Sequence, residues 1–211
     1  MAEQSINVII TGGAQRVGRA IALDLAAHGF GVIIHANTSL DGAEALAEEI
    51  RADGGRAWAV QADLTDVKQA SGVVEQAAAK AGHVEMLINN ASVFEPDTIE
   101  MLDEALWDTH FALHLKAPAF MSQALAAQLS GSEGLVINMI DQRVWRLNPT
   151  FFSYTLSKSA LWTATQTMAQ ALGPNVRVNA IGPGPALKND RQNDADFDQQ
   201  IEALIVKLSL I

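Results

Sequence analysis

Residues 6–37 read INVIITGGAQRVGRAIALDLAAHGFGVIIHAN. An apolar run of strand length meets the turn TGGAQRVG at 11–18, alanine and leucine at helical spacing predict a helix over 16–28, and GVIIHAN predicts a second strand. Gly12 permits the tight turn, the small residues let the backbone approach a pyrophosphate, and the start of the helix offers unpaired N–H groups to the anion. Glycines also end strands without binding anything, so the string alone says little. Placed between a first strand and a first helix, it reads as a dinucleotide-binding turn, with Gly12, Arg16, Val17 and Gly18 as the candidate contacts.

The same alternation runs outward along the chain. Helical spacing recurs over 40–52, 66–81, 103–129 and 153–172, and the strand-like runs AWAVQAD, MLINNAS, GLVINMID and VRVNAIG fall between and after these segments. Six strands with near-continuous aliphatic content and helical crossovers predict a doubly wound, mostly parallel α/β sheet of the Rossmann type, covered on both faces. In such sheets ligands sit beyond the carboxyl ends of the strands, so the residues just after each strand are the candidates. The polar stretch KNDRQNDADFD at 188–198 predicts a mobile substrate loop over about 185–200. All 211 residues are read as one domain.

Composition narrows the class. Hydrophobic residues make up 49% of the chain, yet no apolar run approaches the ~20 residues of a spanning helix, which predicts a soluble protein without a membrane segment. The N-terminus has no basic region ahead of its apolar run, so it reads as a strand and not as a signal peptide. Absence of cysteine removes disulfides, thiolate metal sites and cysteine nucleophiles, and fits the cytoplasm. A net charge of -10 disfavours nucleic acid and anionic membrane as partners, so an anionic cofactor must be held by local geometry.

On the last long helix Tyr154 and Lys158 stand one turn apart on one face, and Asp141 lies thirteen residues before the tyrosine, at the end of the fifth strand. The glycine turn, N-N-A at 89–91 and Tyr-x-x-x-Lys occur in order on the right elements. In this the chain resembles the short-chain dehydrogenase/reductase family from about residue 6 to residue 184. The resemblance implies that Tyr154 exchanges a proton during hydride transfer, and that Lys158 binds the nicotinamide ribose and lowers the tyrosine pKa. It implies further cofactor contacts at Asn90, Ala91 and Ser92, and at Pro183 and Gly184 after the sixth strand. Asp63, with Leu64 beside it, falls where the family's acid meets adenine; the other reading of Asp63 is a helix N-cap.

Cofactor preference follows from the second strand. Its end, H-A-N-T-S at 35–39, lacks the acid that would accept from an NAD ribose and repel a 2′-phosphate, which favours NADP(H) held by Asn37, Thr38 and Ser39.

The departures from the family pattern are more specific. Where members usually have a serine, this chain has Asp141. Keeping a buried carboxyl protonated at pH 7 costs about 4 kcal/mol, and the nearby lysine opposes it, so the residue is expected to be a carboxylate, which cannot polarise a ketone but can accept from an N–H. Arg16 in place of the middle glycine of the turn, Phe94 after the fourth strand and Asp141 together resemble the pteridine reductase branch. That resemblance implies a pterin stacked on Phe94, with Arg16, Ser92, Asp141 and Tyr154 as substrate contacts. His114 replaces the family's asparagine on the long helix; it is read either as a proton relay or as helix packing. The chain also lacks the family's usual last strand, and reads as truncated or as having lost it. A homo-oligomer, a tetramer by the same resemblance, is expected. The reading is an NADPH-dependent reductase of a pterin C=N bond; the alternatives are an oxidoreductase of a small ketone or alcohol, and an NADP-binding protein with little catalysis.

Overall fold

A computed structural model describes residues 6–184. Six strands, β1 (Asn7–Ile10), β2 (Gly31–Ala36), β3 (Arg56–Gln61), β4 (Met86–Asn89), β5 (Gly134–Met139) and β6 (Val176–Ile181), form one sheet in the order β3-β2-β1-β4-β5-β6. Every pairing is parallel. The helices are α1 (Arg16–Ala27), α2 (Leu40–Ala52), α3 (Val67–Ala81), α4 (Glu104–Phe111), α5 (Ala117–Leu129) and α6 (Phe152–Leu172). This is the doubly wound Rossmann-type architecture that the alternating pattern predicts. The expected loop at 185–200 and the chain's final segment lie outside the described residues.

Side-chain alternation builds a core on each face. Ile9, Ile33, Leu87, Val136 and Val178 point to one side, against Val73 and Val74 of α3 and Met121, Leu125 and Leu129 of α5. Val8, Ile10, Val32, Ile34 and Ile88 point to the other, against Ala22 of α1 and Leu46, Ala47 and Ile50 of α2. The period of two along each strand places successive residues on opposite faces, and both faces are dry because helices cover both. Among the described residues, no helix is long and apolar enough to cross a membrane.

The strand order reverses between β1 and β4, which opens a crevice at their carboxyl ends. The loops after β1, β4, β5 and β6 meet there, and they carry most of the candidate residues. One helix differs from its expected form. The segment 103–129 is not one α-helix: α4 passes into a π-helical turn at Ala112–Lys116 before α5 begins. Pro118 has no N–H to return to the carbonyl four residues earlier, which loosens the ladder where the π turn lies. His114 sits within that turn and is buried.

Candidate active site

The turn after β1 is braced from three sides. Gly12 adopts φ +61, and a Cβ there would lie 3.1 Å from Ala91 Cα. At Gly18 a Cβ would run into the Gly12 carbonyl oxygen, so α1 packs on the turn only because that position is bare. Thr11 Oγ1 accepts from the backbone N–H of Asn90 and of Ala91, both at 2.9 Å, and Asn90 Nδ2 donates to the carbonyls of Thr11 at 2.9 Å and Gly12 at 3.2 Å. The N-N-A segment is therefore the second wall of the turn. Gly12 N–H donates to His35 Nδ1 at 3.2 Å, and His35 Nε2 donates to Ala62 O at 3.0 Å. Burial lowers the His35 pKa, against the Ala62 hydrogen bond and the Asp63 charge, which keeps it the neutral ring this pairing needs.

These contacts refine the expectations for the cofactor site. His35 is taken up by the turn, which leaves the exposed Asn37 and Thr38 and the half-buried Ser39 at the end of β2. Asp63 is not the cap of α3: it accepts from Thr65 N at 2.9 Å and Thr65 Oγ1 at 2.7 Å, while Asp66 caps the helix through Lys68 N. Leu64 is 4% exposed with its side chain in the core, so only its backbone can face a ligand. Arg16 keeps a left-handed φ of +48, the conformation a glycine would take freely. Val17 packs against the α1–α2 core, and Pro183 and Gly184 follow β6 at the rim of the crevice.

The site is fit for a pyrophosphate-bearing dinucleotide. Gln15 at the head of α1 makes no side-chain cap, no acidic residue occupies the first turn, and two glycines keep the approach clear. The leading N–H groups of α1 point at a space with no competing anion from that turn.

Asp141, Tyr154 and Lys158 come together at the end of β5. Tyr154 Oη donates to Asp141 Oδ2 at 3.0 Å. Asp141 Oδ1 accepts from Arg143 N–H at 2.8 Å, and Arg143 Nη1 lies 3.4 Å from Oδ2. Backbone and guanidinium can only donate, so the carboxyl is an acceptor on both oxygens and the phenol proton points at it. Tyr154 is 5% exposed and Lys158 3%.

The electrostatics correct one expectation. Burial pushes the Tyr154 pKa up, and the Asp141 charge and hydrogen bond push it further; the Arg143 charge opposes. The expected lowering is not the net result: Lys158 Nζ donates to Met139 O at 2.7 Å and lies 5.8 Å from the tyrosine ring centre, and the shift stays upward. Burial pushes Lys158 itself down to about 8, with Asp141 pulling the other way. Tyr154 is thus a phenol that keeps its proton until something displaces it from Asp141.

Phe94 is at the site, but one of its faces is occupied. It stacks on Phe151 with centroids 4.2 Å apart and planes 4° from parallel, and meets Tyr154 edge-on at 4.8 Å. The Arg143 guanidinium carbon is 4.9 Å from both phenylalanine centroids, so it flanks the stack beside Asp141. Sequence reasoning missed Arg143, Phe151 and also Asp97, whose two carboxylate oxygens accept from Ser153 N–H at 3.1 and 3.2 Å and pin the start of α6 one residue before Tyr154. Arg143 had a legible signal, a cation two residues after the unusual acid. Asp97 had none, since its partner is 56 residues away.

Comparison with known proteins agrees with this geometry. Residues 6–198 match the family described as short chain dehydrogenase. Among solved structures the chain is similar to FolM alternative dihydrofolate reductase 1 from Brucella canis, complexed with NADP, at 55% identity and TM-score 0.88, over 93% of this chain and 78% of that one. The Brucella suis counterpart, also in complex with NADP, is 54% identical with TM-score 0.89, over 93% and 79%. Among curated proteins, the 3-oxoacyl-[acyl-carrier-protein] reductase FabG of Staphylococcus epidermidis is 30% identical over 206 residues, covering 95% of this chain and 84% of that protein.

Proposed function

The chain belongs to the short chain dehydrogenase family, and we propose that it is an NADPH-dependent reductase of a C=N bond in a pterin-like heterocycle. The observation that carries this reading is the acceptor-only Asp141, held by Arg143 and receiving the Tyr154 phenol at 3.0 Å. The similarity to structures named as alternative dihydrofolate reductases supports the same substrate class.

A bound nicotinamide would supply hydride to the substrate carbon. Gly12, Gly18 and the head of α1 would take its pyrophosphate, Asn37, Thr38 and Ser39 the 2′-phosphate, and Lys158 the ribose next to the ring. The remaining steps belong to the chain. A substrate N–H that donates to Asp141 Oδ2 takes the place of the phenol there, and the released Tyr154 O–H can turn to the ring nitrogen. As the carbon gains hydride, the C=N π pair moves to nitrogen and takes the phenol proton; the phenolate is reprotonated from solvent. Burial and Asp141, which raise the Tyr154 pKa, keep the donor loaded at neutral pH. Phe94, fixed against Phe151, would stack on the heterocycle.

A ketone substrate is the competing reading, since FabG is named for 3-oxoacyl reduction. Its developing alkoxide would lie beside the Asp141 carboxylate and be repelled, whereas an oxyanion needs donors. The deciding experiment is NADPH oxidation against a panel of dihydropterins, dihydrofolate and small ketones. Turnover of the heterocycles with little ketone activity is expected; the reverse order would sink the proposal.

A further inference from the structure

Two buried histidines lie behind Tyr154, and neither takes part in the proton transfer described above. His110 and His114 stack at 5.4 Å, one turn apart, and each meets the Tyr154 ring edge-on, at 5.8 and 5.3 Å. Their partners differ. His110 Nδ1 pairs with Ser153 Oγ at 2.7 Å and its Nε2 makes no hydrogen bond among the described residues. His114 uses both nitrogens: Nε2 meets Val93 N–H at 3.2 Å and Ser92 Oγ at 3.0 Å, and Nδ1 meets Ser157 Oγ at 2.8 Å.

The backbone N–H of Val93 decides the tautomer. It can only donate, so Nε2 carries a lone pair and the ring proton is on Nδ1, where it donates to Ser157. Ser157 Oγ in turn donates to the Tyr154 carbonyl at 2.8 Å. That chain ends on a carbonyl oxygen, which has no proton to hand on, so it is no relay toward Lys158. With Nε2 bare, the contact to Ser92 must be made with the serine's own proton. Ser92 has only one. Its lone pairs are then all that it can present to the crevice, where the residue is exposed.

We infer that His114 is a positioning residue that fixes the Ser92 hydroxyl as an acceptor, so that the site selects a ligand bearing an N–H or O–H donor at that point. Ser92 could favour the Tyr154 phenolate only with a proton directed at the phenol, and His114 holds that proton. Burial, with Lys158 and His110 adding to it, lowers the His114 pKa well below its ordinary value, in keeping with the neutral ring. Together with Asp141, Ser92 gives the crevice two acceptors, as a heterocycle with several N–H donors requires. That consequence rests on the reductase reading; the tautomer and the Ser92 contact do not.

The test separates the two. In cofactor-free, 15N-labelled protein at pH 7, long-range proton–nitrogen spectra, assigned with His114→Gln, should show His114 as the neutral Nδ1–H form. Ser92→Ala should shift the Nε2 resonance and leave Nδ1 nearly unmoved. An Nε2–H tautomer, an imidazolium, or no response to Ser92→Ala would overturn the inference. In turnover, His114→Leu should lose about tenfold in kcat/KM, chiefly through KM, as for one lost hydrogen bond. His114→Gln, whose Oε1 can accept from both partners, should recover most of that loss. In a Ser92→Ala background, His114→Leu should cost less than about threefold; equal losses in both backgrounds would reduce His114 to packing. A protein with the expected spectra that reduces no pterin supports the Ser92 contact and overturns the substrate reading instead.

Discussion

Lys158 should destabilise the cofactor-free protein. Its ammonium is buried, and burial moves its pKa from 10.5 to about 8. Between these values the unfolded chain binds a proton that the folded chain does not, so stability rises with pH across that window, and the penalty is fully present below about pH 8. A displacement of that size corresponds to about 3 kcal/mol at pH 7. Against it stands the hydrogen bond from Nζ to Met139 O at 2.7 Å, whose loss leaves a buried carbonyl unpaired at about 1–2 kcal/mol. Lys158→Met keeps the side-chain volume and removes the charge, so the net expectation at pH 7 is a gain of about 1–2 kcal/mol and a rise in Tm of a few degrees.

Urea unfolding of both proteins at pH 7 and pH 9.5, cofactor-free and at one protomer concentration, measures this directly. The variant should lead at pH 7, and its lead should shrink or reverse at pH 9.5 as the wild-type lysine sheds its proton. A variant less stable than wild type at pH 7, or a difference that does not move with pH, would refute the reasoning. The same substitution should abolish turnover, which would mark the lysine as a residue kept for function at a cost in stability.

Four further outcomes are expected. Tyr154→Phe should reduce turnover at least a thousandfold while NADPH affinity, read by fluorescence titration, stays within about threefold, because the ring contacts remain and only the proton is lost. Asp141→Ser should lower kcat/KM for a dihydropterin by about tenfold to a hundredfold, as for a lost charged hydrogen bond, and raise any activity on a small ketone; parallel losses on both would reduce Asp141 to a structural role. Arg16→Gly should leave the turn's backbone intact and weaken NADPH binding by about tenfold or more, and unchanged affinity would remove Arg16 from the phosphate site. Thr38→Asp should place a negative charge where the 2′-phosphate is expected, so that binding shifts from NADPH toward NADH; an unaltered ratio of dissociation constants would move that site elsewhere.

Local pattern made most of the scaffold legible. Ile9 and Ile10 differ in face because they are neighbours on a strand, and that follows from sequence spacing alone. Tyr154 and Lys158 share a helix face for an equally local reason, and Asp141 falls beside them because strand ends converge. What could not be read was the partner of each polar group. Lys158 reaches Met139 O, Asp97 reaches Ser153, and His114 joins Ser92 to Ser157 across 22 and 43 residues. Such bonds depend on loop paths between elements, and periodicity carries no information about them. The π turn lies between: Pro118 marks a weak ladder, but only packing decides that the turn widens at His114.

Departures from a family pattern proved more informative than matches, and Arg16 shows why. A match such as Gly12 is explained by backbone geometry alone. Arg16 holds a glycine's conformation, φ +48, without being glycine, at a cost of about 1 kcal/mol. Glycine would hold the same φ without strain, so the arginine is understandable only if its side chain gains more than the backbone loses. The same logic holds at Asp141, where a small neutral hydroxyl would avoid placing a charge beside a buried phenol, and at His114, a buried polar ring within the π turn. These three side chains bear on the turn, on Tyr154 and on Ser92 respectively, all around one crevice. The proposed ligand, with an anionic end and a ring of N–H donors, would account for these local costs together.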